Sequence, residues 1–108
     1  MWTASGGKHY AGKPRPVLII QDDVFDKTAS VTVCPLTTDT VDAPLLRIHL
    51  EPDSANGLSV PSRIMVDKVT TMPKAKLGER IGRLSDTDMV ALSRSLFVFL
   101  GLAVRSND

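Results

Sequence analysis

Arg15 and Thr37 stand far apart in the chain, yet one simple pairing brings them together. Residues 16–21 (PVLIIQ) are a β-branched apolar run, and residues 30–36 (SVTVCPL) alternate as a strand does. Asp22, Asp23, Asp26 and Lys27 supply the turn between them. If the two runs pair antiparallel about a turn centred near Asp26, partner numbers sum to about 52. Arg15 then lies opposite Thr37, with Lys13 and Thr38 beside them. A guanidinium fork suits phosphate geometry, and a hydroxyl can donate to a phosphoryl oxygen. The chemistry on offer is the holding of a phosphate and the stabilisation of charge that grows on it. The alternative is that Arg15 pairs with Asp39 or another loop acid at the surface.

Other chemistries find little support. There is no nucleophile elbow, phosphate-binding P-loop, HExxH or GxGxxG. His9 falls in a Gly-rich stretch and His49 on a polar strand face, and both read as exposed. Cys34 is the only cysteine, so no intrachain disulfide forms and the thiol reads as a small buried apolar group. Cys34, His9 and His49 have no zinc-ligand spacing, so neither a metal nor a cofactor is expected. With one Trp, one Tyr and three Phe, the chain lacks the aromatics for a base-stacking sheet.

The remaining elements must hold the hairpin in place. At 108 residues and 43% hydrophobic, the chain reads as one domain, residues 1–108, able to bury its own core. Residues 5–14 (SGGKHYAGKP) read as a mobile loop. Pro35 places the far end of the second strand at an edge or bulge. In residues 45–51, Leu46, Ile48 and Leu50 share one strand face, and Arg47, His49 and Glu51 the other. Asn56-Gly57 is a turn. Further strands are expected at 59–61, 63–70 and 77–84. The period then changes. Ser85 caps a helix over about 86–101 that ends near Gly101. Met89, Leu92, Leu96, Phe99 and Ala103 share one helical face. The last turns, Leu96 to Leu100, are apolar all round, which leaves one face for the sheet and another for a partner subunit.

The order of elements gives a mainly β fold, a small barrel of short antiparallel strands with a C-terminal helix. No signal peptide is visible, and the longest apolar stretch, Leu96–Val104, is too short to span a bilayer. A cytoplasmic protein without membrane contact is expected. Net charge is +1, but it is segregated: residues 1–21 carry +3, 22–53 carry −5, 54–85 carry +4 and 86–108 carry −1. Two basic segments could meet as one face.

Four segments in order resemble the MazF/PemK-type toxins. Residues 12–23 (GKPRPVLIIQDD) are similar to that family's opening Arg-Pro, strand and polar turn. Residues 33–38 (VCPLTT) resemble its second motif, a strand ending in Thr or Ser. Residues 61–69 (PSRIMVDKV) resemble its third, a Ser before a strand and an acid. Residues 81–86 (IGRLSD) and the apolar helix complete the likeness, from Trp2 to about Ala103. The resemblance implies an SH3-like barrel, a homodimer, a cognate antitoxin, and metal-independent cleavage of single-stranded RNA at specific sequences. It places the catalytic Arg on Arg15 and the catalytic Thr on Thr37. Lys13, Thr38, Ser62, Arg63 and Lys68 are the candidate RNA contacts, with solvated surface as the alternative.

Two departures stand out. Relatives carry a charged segment ahead of the Trp, whereas Met1 abuts Trp2 here, so either the first strand is clipped or the chain start is mis-set. Lys68 stands where many relatives have Gln, so no cleavage sequence carries over. Two other classes compete: a gyrase-binding toxin of the CcdB type acting through the end of the helix, and a barrel that only binds a partner, with Arg15 structural.

Overall fold

The computed structural model describes residues 1–4, 15–40, 43 and 45–102. Lys13, His9 and the 5–14 loop expected above lie outside them, as does Ala103. Seven strands and one helix follow in chain order among the described residues: β1 (Trp2–Ala4), β2 (Arg15–Ile19), β3 (Ser30–Thr37), β4 (Arg47–Leu50), β5 (Ser62–Met65), β6 (Thr70–Pro73), β7 (Leu77–Arg80) and α1 (Asp86–Phe99). The main path runs β4-β5-β3-β2-β1-β7, every pairing is antiparallel, and β6 joins β3 off that path.

β3 is shared, and this makes the sheet barrel-like. Ser30 to Val33 pair with β6, while Leu36 and Thr37 pair with β5. Pro35, which has no N–H to give, sits between these two partners and opposite Val17 of β2. Of the edge or bulge expected at Pro35, the edge is corrected: the strand is central, and the proline marks where it changes neighbours. Alternation along β3 sends Cys34 and Leu36 into one core with Leu18, Ile64 and Leu92. Val31 and Val33 enter a second cluster with Ala4 and Val17.

Other boundaries shift for local reasons. The expected strand over 63–70 is split, because Val66–Lys68 form a 3-10 turn that buries Val66 and aims Asp67 at Arg47. Residues 59–61 bend without forming a strand, and the final strand stops at Arg80. β1 is short, but it pairs with both β2 and β7, and the Met1 amino group donates to the Gly82 carbonyl.

The helix begins as expected. Ser85 accepts the Asp88 N–H at 3.1 Å, and Asp86 and Asp88 complement the positive end of the helix dipole. It ends in a Schellman motif. The Leu102 N–H donates to the Phe97 carbonyl and the Gly101 N–H to Val98, with Gly101 at φ +71°. Only Leu92 is fully buried, at 1% exposure. Met89 and Phe99, expected to cover the sheet, remain 36% and 43% exposed. No helix among the described residues is long and apolar enough to cross a membrane.

Candidate functional site

The β2–β3 register is Val17↔Pro35, Leu18↔Cys34 and Ile19↔Val33. Continued by two residues, it sets Arg15 level with Thr37 at one end of both strands. The 3-10 turn at Asp23–Phe25, capped by the Asp22 carboxylate accepting the Val24 N–H, closes the other end.

Arg15 and Thr37 both line a cleft of about 260 Å³. Thr38 and Ser62 line it too, with Thr3 and Ser59 adding hydroxyls. Pro16, Leu58, Val60 and Ile81 give it apolar walls. Arg15 is the only ionisable side chain among these lining residues, and it is exposed. Among the described residues it makes no hydrogen bond or ion pair. In particular Asp39, the surface partner weighed above, does not take it. The Asp39 N–H instead donates to Thr37 Oγ1 at 3.2 Å. That bond occupies a lone pair of the hydroxyl and leaves its proton to be donated into the cleft.

Arg47 shows the opposite case. Its Nη2 donates to Asp67 Oδ2 at 3.2 Å, and its Nε lies 3.1 Å from Oδ1, with both side chains largely buried. That guanidinium is already paired with a carboxylate, so Arg47 is no anion site. Among the described residues the Arg15 guanidinium has no such partner, which is the arrangement an anion needs.

The other expected RNA contacts divide. Thr38 faces the cleft, and so does Ser62, but Ser62 is buried and its hydroxyl donates to the Val60 carbonyl at 3.0 Å. Arg63 does not line the cleft, yet it is the Cα partner of Thr37, and its Nη1 donates to the Asp39 carbonyl at 3.5 Å. Lys68 is exposed in the turn past the far end of β5 and does not line the cleft. Lys13 lies outside the described residues.

The wall opposite Arg15 was not expected from the sequence. Asn56 is 2% exposed, and its side-chain carbonyl accepts from the Asp53 and Leu58 N–H groups while its amide donates to the Glu51 carbonyl. This fixes the turn that presents Gly57 and Leu58 to the cleft. A Cβ on Gly57, at φ +71°, would lie 1.8 Å from the Ile81 carbonyl oxygen. The backbones of the two cleft-lining segments are in direct contact there. The Asn-Gly pair signalled the turn, but not what it packs against. Among the described residues no group of three or more metal-ligating side chains is found.

Fold and site together define a small barrel-like protein whose cleft is lined by one guanidinium and several hydroxyls. A family model described as "PemK-like, MazF-like toxin of type II toxin-antitoxin system" matches residues 1–100. The chain belongs to this family. It is 61% identical over 103 residues to a probable endoribonuclease MazF of Mycolicibacterium smegmatis, covering 95% of this chain and 94% of that protein. Among solved structures it resembles the Mycobacterium tuberculosis toxin MazF-mt6, with TM-score 0.75 and 29% identity, over 94% of this chain and 97% of that one. It also shares the fold of a mycobacterial endoribonuclease solved with its cognate antitoxin, at TM-score 0.78 and 23% identity, over 96% and 93% of the two chains. Family membership favours the ribonuclease reading over the gyrase-binding and purely structural ones.

Proposed function

We propose that this protein is the toxin of a type II toxin-antitoxin pair and an endoribonuclease that cuts single-stranded RNA at Arg15 and Thr37. The observation that carries the reading is the Arg15 guanidinium, without a partner among the described residues, in a hydroxyl-lined cleft that holds no carboxylate among its lining residues. The RNA 2′-hydroxyl attacks the adjacent phosphorus. A 2′-oxygen–phosphorus bond forms, the bond to the 5′-oxygen breaks, and the products are a 2′,3′-cyclic phosphate and a 5′-hydroxyl. The 2′-proton leaves to water or a substrate oxygen, and the departing 5′-oxygen gains one.

Negative charge grows on the non-bridging oxygens during attack. Arg15 meets it with a planar fork of donors, worth about 3–4 kcal/mol by analogy with a single oxyanion-hole donor. Thr37, whose lone pair is held by the Asp39 N–H, donates its proton to one of the same oxygens. The apolar walls at Leu58, Val60 and Ile81 accept the face of a neighbouring base. With water or a substrate oxygen taking the 2′-proton, the step as proposed calls on no metal. Thr38, Ser62, Arg63, Lys13 and Lys68 serve the strand on either side. The cognate antitoxin is the protein partner, a second copy of the chain completes a homodimer, and the cytoplasm, where messenger RNA is read, is the place of action.

The test is incubation with a long single-stranded RNA in EDTA, followed by mapping of fragment ends. Discrete cuts ending in cyclic phosphate, lost in Arg15→Ala, are expected. Absence of cutting by the folded dimer, or undiminished cutting by Arg15→Ala, overturns the reading.

A further inference from the structure

The register carries the cleft's chemistry further across the sheet. Thr37 is the Cα partner of Arg63, and Arg63 is in turn the partner of His49. Directly opposed residues of an antiparallel ladder place their side chains on one face, with Cβ atoms about 4.5–5.5 Å apart. A row therefore leads from Arg15 through Thr37 and Arg63 to His49, one strand at each step. Glu51, the first residue past the end of β4, reaches that face, and its Oε1 lies 2.7 Å from His49 Nε2. The two side chains are 48% and 71% exposed, so the pair supports no core.

Resting on the ribonuclease reading above, we propose that His49 and Glu51 form a base-reading subsite for a nucleotide flanking the scissile phosphate. A carboxylate only accepts hydrogen bonds. It accepts from the exocyclic amino group of cytosine, adenine or guanine, whereas uracil offers it only the ring N3–H, a single donor flanked by two keto oxygens that repel the carboxylate. The imidazole beside it offers a ring face on which the same base stacks. Arg63 stands between this pair and Thr37, where the intervening phosphate passes. A carboxylate near the RNA backbone costs affinity through repulsion, so Glu51 contributes discrimination. Roughly 14 Å, three strand spacings, separates His49 from Arg15, too far for proton transfer at the same phosphorus.

The experiment maps cleavage of an RNA pool with randomised flanks by the wild-type protein, His49→Ala and Glu51→Gln, with circular dichroism melts on all three. The wild type should prefer amino-bearing bases by about ten-fold or more at one flanking position. Both variants should melt like the wild type, still depend on Arg15, and hold that preference to about two-fold or less. Unchanged preferences in both variants overturn the subsite. So does an equal loss of rate at every sequence, or a wild type indifferent to its flanks. A wild type that cuts no RNA instead marks failure of the ribonuclease reading itself.

Discussion

Arg15 combines a charge with a planar fork, and the two can be separated. Arg15→Lys keeps the charge and loses the two-point geometry, whereas Arg15→Ala loses both. Single-turnover cleavage should fall by about 10²–10³ in Arg15→Ala, and by less in Arg15→Lys. Neither variant should move the melting temperature, since the side chain is exposed and has no partner among the described residues. Cys34 makes a second prediction, on stability. Burial, and secondarily the Asp67 carboxylate, push its thiol up from 9.0 to about 11. Above pH 9 the unfolded chain ionises while the folded chain keeps its proton until about pH 11. The contribution is thus fully present below pH 9 and is lost as pH climbs through that window. Thermal melts across this range should show a shallower alkaline decline in Cys34→Ala than in the wild type. Arg15 and Thr37 were legible in the sequence because strand alternation and a single turn fix a hairpin's register. Leu58, Val60 and Ile81 were not, because nothing local to them says which backbone they will meet.

Elements hold the cleft open through backbone contacts as much as through side chains. The turn carrying Asn56 and Gly57 packs against Ile81 and Gly82, where added Cβ atoms would lie 1.8 and 2.3 Å from carbonyl oxygens. Asn56→Ala would leave two N–H groups and one carbonyl of this turn without their partner. Each such loss costs about 1–3 kcal/mol where the group stays buried. Urea denaturation should show a clear loss of stability, and cleavage should weaken because Leu58 lines the cleft. Ser85→Ala is the contrasting case, a cap far along the chain from the hairpin. It should cost about 1 kcal/mol in the same denaturation experiment and leave the cleavage pattern unchanged. The helix start was legible because a cap is written in adjacent residues. The break between β5 and β6 was not. Val66 and Asp67 continue an alternating pattern, and they leave it only because the core takes Val66 and Arg47 takes Asp67.

On the scale of the whole molecule, the terminal helix has more apolar surface than the barrel covers. Phe97, Val98, Leu100 and Leu102 are 52%, 62%, 52% and 61% exposed, beside Phe99 at 43%. Apolar burial is worth about 25 cal/mol per Å², so a run of half-exposed side chains this dense is a standing drive toward association. The sequence expected one face for the sheet and one for a partner, and the structure leaves most of the helix's apolar side chains outside the chain's own core. Only Leu92 is fully enclosed by the chain's own core, and Leu96 is half-buried against it. We therefore expect a homodimer that buries this end of the helix. Sedimentation should show dimers in the wild type and a shift toward monomer in Phe97→Lys or Leu100→Lys. A charge placed at either position would be stranded in an apolar interface. The Schellman cap and the barrel do not depend on those side chains, so the variants should retain the wild-type circular dichroism spectrum. If both lysine variants remain dimeric at wild-type concentrations, the contact lies elsewhere on the barrel, and the helix end is left for the antitoxin, which a pull-down with the same two variants would then reveal.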